Sequence, residues 1–132
     1  MSSPASTTLV DSFYAAYNEH AAAVAAGLYA ADGLHRDLAS GVTASGRDEI
    51  ARSLAGFVSR MGNARWAVTE LLGRDDRFAV HYELTGEWAL RDGDVCPVRL
   101  PGIHVFILGD GMIRETMDFW SSAEFVRQIG GV

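Results

Sequence analysis

The sequence contains no lysine: all eleven basic residues are arginine, set against seventeen carboxylates for a net charge of −6. Without an ε-amine the chain cannot form a Schiff base or attach pyridoxal phosphate covalently. Its arginines form no stripe able to neutralise a run of phosphates, so nucleic acid is not an expected partner. Cysteine is nearly absent too. Cys96 stands alone beside Pro97, which excludes an internal disulfide and a thiolate zinc cluster and makes a reducing, cytoplasmic setting the expectation. Long apolar runs are also missing: MSSPASTTLV has neither a basic segment nor an apolar core, and Ala21–Ala31 is too short to span a bilayer. No membrane partner is expected.

What remains is a chain of 132 residues, 48% hydrophobic and 10% aromatic, enough for one domain with a core and an internal cavity. Residues 1–8 are small and polar and read as a flexible arm, leaving 9–132 as the domain. Leu9, Phe13, Ala16, Tyr17 and His20 recur at helical spacing, and the Ala-rich segment extends the pattern as a kinked helix or helical hairpin to Asp32-Gly33. His20, at a helix end, reads as a charge against the helix dipole. A second helix is expected over Arg47–Met61 on the stripe Ile50, Leu54, Phe57, Val58 and Met61, closed by Gly62-Asn63.

From residue 64 the period changes to two, as in Phe78-Val80-Tyr82-Leu84 alternating with Ala79-His81-Glu83-Thr85. Polar turns at 74–77, 91–94 and 109–111 divide this half into four long strands, and a short helix over Ser122–Ile129 ends the chain. Helices first and an antiparallel meander afterwards give an α+β fold.

The hairpin around Gly109-Asp110-Gly111 carries His104 on one strand and Asp118 on the next. A three-residue turn makes them diagonal neighbours on one face, together with Phe106, Leu108, Met112, Thr116 and Trp120; a two-residue turn sends them to opposite faces. Sharing an apolar wall, they form an acid/base couple; otherwise His104 is a satisfied interior histidine and Asp118 a strand-edge acceptor. Tyr17 and Trp120 are the aromatic candidates for walls that stack on a flat ligand. His81 and Glu83 sit two apart on one strand, as the polar outer face of a sheet does.

The stretch GIHVFILGDGMIRETMDFW followed by SSAEFVRQIG, with FYAAYNEHAAAVAAGLYAADGLHRDLASG and GRDEIARSLAGF, resembles the SnoaL-like polyketide cyclases of the nuclear transport factor 2-like superfamily. The resemblance implies a cone in which a curved antiparallel sheet wraps N-terminal helices around one small-molecule pocket. It implies a cofactor-independent acid/base enzyme, with no metal, acting on a small hydrophobic oxygenated substrate by aldol-type cyclisation or isomerisation through an enolate. On the matching positions, Asp118 is the general base, its pKa raised by an apolar wall, and His104 hydrogen-bonds the enolate or tunes the base.

Ketosteroid isomerases, another branch of that superfamily, carry a proton-shuttling Asp after the helical hairpin, and Asp37 resembles it; alone, Asp37 reads as the cap of the turn Asp37-Leu38-Ala39-Ser40-Gly41. Either Asp37 or its neighbour His35 faces the pocket. Phe13 and Ile103 stand where that isomerase carries its oxyanion donors. Limonene-type epoxide hydrolases, also of this fold, use an Asp-Arg-Asp set for which Asp118 and Arg99 are partial candidates. A dehydratase and a non-catalytic ligand-binding or dimerisation domain are the alternatives on the same cone. The uncovered sheet face, with His81, Glu83, Thr85 and Glu87, suits a homodimer.

Overall fold

The structure, a computed structural model, describes residues 4–130, with side chains from residue 7 onward. Its elements are α1 Pro4–Asn18, α2 Ala22–Gly27, β1 Tyr29–Asp37, β2 Val42–Ser45, α3 Arg47–Arg60, β3 Met61–Arg74, β4 Arg77–Ala89, β5 Val95–Gly109, β6 Met112–Trp120 and α4 Ser122–Gln128. The strands form one six-stranded sheet in the order β2-β1-β6-β5-β4-β3. All pairs are antiparallel except β1 with β6. The fold is α+β, with the helices leading the chain and the meander following.

Period decides each layer. Val10, Phe13, Tyr14 and Tyr17 lie on one stripe of α1 and are buried, and Ile50 and Leu54 do the same for α3. On β4, Phe78, Val80, Tyr82 and Leu84 face inward; on β5, Val98, Leu100, His104, Phe106 and Leu108 do. Phe13 sits at the centre of this core, stacked on Tyr17 at 4.1 Å and edge-on to Phe106 at 4.9 Å. Burying such a ring stabilises the fold by about 2–3 kcal/mol, so Phe13 fastens the helix that carries two site tyrosines to the sheet.

Three expectations are corrected. The Ala-rich helix ends at Gly27, and Tyr29–Asp37 is a strand; a six-residue helix gains little from alanine propensity alone, while pairing β1 between β2 and β6 satisfies its backbone on both sides. Residues 4–8, expected in the arm, belong to α1, and residues 1–3 lie outside the described residues. His20 is not a dipole partner: it takes a left-handed φ of 57° that separates α1 from α2, and its Nε2 donates to the Ala64 carbonyl at 2.7 Å.

The β5–β6 hairpin resolves the question of register in a way neither turn length alone allows. Asp110 and Gly111 both have positive φ, 54° and 74°, and Gly109 pairs with Met112, which is a two-residue turn. That turn on its own would put His104 and Asp118 on opposite faces. Leu108 pairs with Ile113 and Ile107 with Glu115, however, so Arg114 is an extra residue that bulges out and shifts every later side chain by one. Beyond the bulge His104 lies directly opposite Asp118, both inward. Met112, before the bulge, is consequently turned away from the site and its place in the core is taken by Ile113.

Candidate active site

Between the helices and the concave face of the sheet lies a cavity of about 310 Å³, at the small end of the range for ligand pockets. Of the residues expected at the site, Tyr17, His35, Asp37, Asp118 and Trp120 line it. Phe106 does not; it is wholly buried in the core beneath. Met112 does not either, lying instead near the Arg47 guanidinium. His104 stands behind the wall with 1% exposure, its ring enclosed by Phe13, Tyr14, Tyr17 and Tyr82.

Counting donors and acceptors fixes the state of both histidines. The Tyr14 hydroxyl is buried and has one partner, His104 Nδ1, at 2.7 Å. Burial, reinforced by the Asp118 charge, raises the Tyr14 pKa far above its ordinary value, so the phenol keeps its proton and donates it. Nδ1 is then an acceptor, and His104 Nε2 faces Asp118 Oδ2 at 3.4 Å. The Tyr82 hydroxyl donates to the other oxygen, Oδ1, at 2.6 Å. Burial by itself would push the Asp118 carboxyl up; His104, the Tyr82 hydrogen bond and His35 outweigh it and hold the group below its ordinary value. A raised pKa was expected for this carboxyl, and the donors around it reverse the sign.

A second chain runs from β1. The Tyr29 hydroxyl has one partner, Thr116 Oγ1, at 2.6 Å, and Thr116 Oγ1 has one other, His35 Nδ1, at 2.7 Å. Tyr29 and Thr116 are fully buried, so each must give its only proton to the next group in line. Tyr29 donates to Thr116, Thr116 donates to His35 Nδ1, and His35 carries its proton on Nε2. Burial, with His104 adding to it, lowers the His35 pKa, which keeps the ring neutral. Nε2 makes no bond within the protein, yet no buried side-chain nitrogen or oxygen among the described residues lacks a partner; Nε2 therefore opens onto the cavity that His35 lines. The Tyr17 hydroxyl is in the same position: the residue is 6% exposed, its proton is retained because burial raises the phenol pKa, and it has no partner but the cavity.

Asp37 combines both readings offered for it. Its Oδ1 caps the following turn, accepting from the Ala39 and Ser40 amides at 3.0 Å each, while the carboxylate also lines the cavity and accepts from Trp120 Nε1 at 3.0 and 3.1 Å. On the parallel β1–β6 pair, Asp37 is the direct neighbour of Asp118. Arg99 is on the other side of the sheet, paired with Glu83, so no Asp-Arg-Asp set forms.

A family model described as the SnoaL-like domain matches residues 10–116 of this chain. The chain belongs to the SnoaL-like domain family. Solved structures agree on the fold of this SnoaL-like domain, which is that of the nuclear transport factor 2-like and ketosteroid isomerase-like proteins. A protein of ketosteroid isomerase-like fold from Catenulispora acidiphila, solved with trimethylamine, is 23% identical over 92% of each chain with a TM-score of 0.84. A Shewanella denitrificans protein assigned to the SnoaL-like polyketide cyclases gives 0.87 at 12% identity, over 98% of this chain and all of the other. One from Xanthomonas campestris, assigned to the polyketide cyclases, gives 0.81 at 24% identity, over 96% and 97%. No curated protein matches the chain in sequence.

Within the SnoaL-like domain, sequence reasoning placed Thr116 on the site face but missed the phenols that bond the site residues: Tyr14, Tyr29 and Tyr82. Gly102 was the available signal for Tyr82. It pairs across the sheet with Tyr82, and a Cβ at Gly102 would lie 2.2 Å from the Tyr82 ring and hydroxyl. The absent side chain lets the ring lie flat over β5 and reach Asp118 on β6.

Proposed function

We propose that this SnoaL-like domain is a cofactor-independent acid/base enzyme that takes a proton from a carbon flanked by carbonyl groups on a small, hydrophobic, polyketide-like substrate. The observation that carries the reading is the pairing, in one cavity, of an ionised carboxylate with two unpartnered donors, the His35 Nε2–H and the Tyr17 hydroxyl. Asp118 removes the proton, and the electron pair of the C–H bond moves into an enolate whose oxygen accepts from His35 and Tyr17. In a cyclisation the enolate carbon then bonds to a second carbonyl carbon of the same molecule, and the resulting alkoxide takes the proton back from Asp118. In an isomerisation Asp118 returns it to a different carbon. Either way the proton count closes on Asp118.

A carboxylate held below its ordinary pKa is a weak base, so the C–H bond must be acidic; a carbon between two carbonyls meets that need. Of the two roles expected for His104, hydrogen-bonding the enolate or tuning the base, its contacts favour the second: both its nitrogens are engaged, by Tyr14 and Asp118. The test is solvent-deuterium exchange into a bicyclic β-keto ester followed by NMR. Wild-type protein should accelerate exchange, and Asp118→Asn should abolish the acceleration; equal exchange by both proteins would overturn the reading.

A homodimer belongs to the same proposal. The outer face of β4 to β6 exposes Ile103 and Phe119 on neighbouring strands, beside His81 and the Glu83–Arg99 pair. A two-fold axis over this face would cover the apolar side chains and leave the charges at the rim. Sedimentation equilibrium showing only monomer at micromolar concentration would remove this part.

A further inference from the structure

The charge of the cavity wall is one-sided. Its described lining includes Asp37 and Asp118 but no arginine, and the chain has no lysine. Their partners carry no fixed charge: backbone amides and the Trp120 indole for Asp37, and the Tyr82 hydroxyl and the His104 ring for Asp118. Neighbouring carboxylates on paired strands repel, and nothing among the described residues places a cation between them. Arg60 stacks on Trp88 at 4.5 Å and donates to the Ala89 carbonyl without entering the lining.

From Asp37 outward the wall is a continuous succession of rings. Trp120, whose indole holds Asp37, meets Phe125 edge-on at 6.0 Å; Phe125 meets Trp88 at 5.0 Å; Trp88 adjoins Phe57 at 6.4 Å, and Phe57 adjoins Trp66 at 5.8 Å. All five line the cavity. Ring faces and carboxylates both attract a cation and both disfavour an anion. An independent feature lies in the same cavity: the Tyr17 hydroxyl, nine-tenths buried and unpartnered, opens into it and calls for an acceptor oxygen.

Resting on the acid/base reading above, and narrowing its substrate class, we infer that the ligand is an amino-carbonyl compound, with a cationic nitrogen beside Asp37 and Trp120 and its carbonyl oxygen at Tyr17 and His35. A carboxylic acid is the wrong class for this cavity. The cationic nitrogen also serves the chemistry, because a positive charge near the reacting carbon acidifies its C–H bond and suits the weak base Asp118.

Three bicyclic probes of matched size test the charge preference by tryptophan fluorescence and calorimetry: 1-naphthylmethylamine, 1-naphthalenemethanol and 1-naphthoic acid. The amine should bind roughly tenfold more tightly than the alcohol, and the acid more weakly than both. In Asp37→Asn, which keeps an acceptor for the turn, the ratio of amine to alcohol affinity should fall several-fold. Equal or tighter binding of the alcohol or the acid, failure of the amine to bind at millimolar concentration, or an unchanged ratio in Asp37→Asn would each overturn the inference. None of the probes has a proton between carbonyls. A failure here therefore leaves the exchange experiment standing, and failure of exchange leaves the binding order to be read on its own.

Discussion

The chain from Tyr14 through His104 and the chain from Tyr29 through Thr116 reach the cavity from opposite sides of β6; the second inserts a threonine hydroxyl between phenol and imidazole, and the two end differently. Each begins at a buried phenol with one partner, and each sets an imidazole with its proton on Nε2. On the β5 side that N–H is consumed by Asp118 and the chain ends in an acceptor; on the β1 side it meets no protein group and the chain ends in a donor. Thr116 and Asp118 are two residues apart on one strand, so both chains share a single rigid support. Two related devices, each a buried phenol that orients an imidazole, thus yield a base and an electrophile, and the decisive difference lies in what the fold places after each ring.

The comparison breaks most severely at Asp118. Asp118→Asn removes the acceptor while preserving shape, and turnover should fall by roughly 10²–10⁴-fold. His35→Ala removes one donor to the enolate oxygen and should lower kcat by about 10²-fold, with a smaller change in KM, since the bond is formed in the transition state. Thr116→Val leaves His35 in place but frees its tautomer and orphans the Tyr29 hydroxyl. It should cost about 1–3 kcal/mol of stability in denaturant melts and roughly tenfold in kcat. If His35→Ala and Thr116→Val were equally damaging to kcat, the ring would be serving as packing and not as a directed donor.

Tyr82→Phe sharpens the comparison from the acceptor side. Losing that hydrogen bond raises the Asp118 pKa and should move the acid limb of the kcat/KM profile upward by about one pH unit. In the wild type this limb should lie below the ordinary aspartate value of 3.8, because the folded carboxyl is lowered. Gly102→Ala should act in the same direction by displacing the Tyr82 ring. Stability follows the same signs. The contribution of Asp118 is complete above its unfolded value and is lost as pH falls through its lower folded value. His35, also lowered, resists protonation in the fold, so stability begins to decline as pH drops below its ordinary 6.5. Melting temperature should therefore decrease toward acid in two stages, His35 first.

The α+β order and the pairing of His104 with Asp118 were legible in the sequence because period and residue type are local. The face shared by those two residues was not. It depends on the Arg114 bulge, and a one-residue bulge leaves no reliable trace in an alternating pattern. Tyr29 read as the tail of an alanine helix for a related reason: its strand exists through pairing with β2 and β6, the latter far away in the chain. Asp37 and His35 could be placed near the pocket but not ranked, since their distinct roles come from Trp120 and Thr116, roughly eighty residues later. The sign of the Asp118 shift was misjudged because apolar neighbours are visible in a sequence, whereas the convergence of His104, the Tyr82 hydroxyl and His35 on one carboxylate is not.

At the centre of this mechanism, donor counting makes Nδ1 the acceptor in both rings and assigns the ring proton to Nε2. Long-range ¹H–¹⁵N correlation NMR of the uniformly labelled protein near neutral pH reads this directly. The expected spectrum shows a protonated Nε2 and a bare Nδ1 for His35 and His104 alike, with the His104 pattern lost in Tyr14→Phe and the His35 pattern lost in Thr116→Val. A proton on Nδ1 of His35, or a doubly protonated ring at either position, would contradict it.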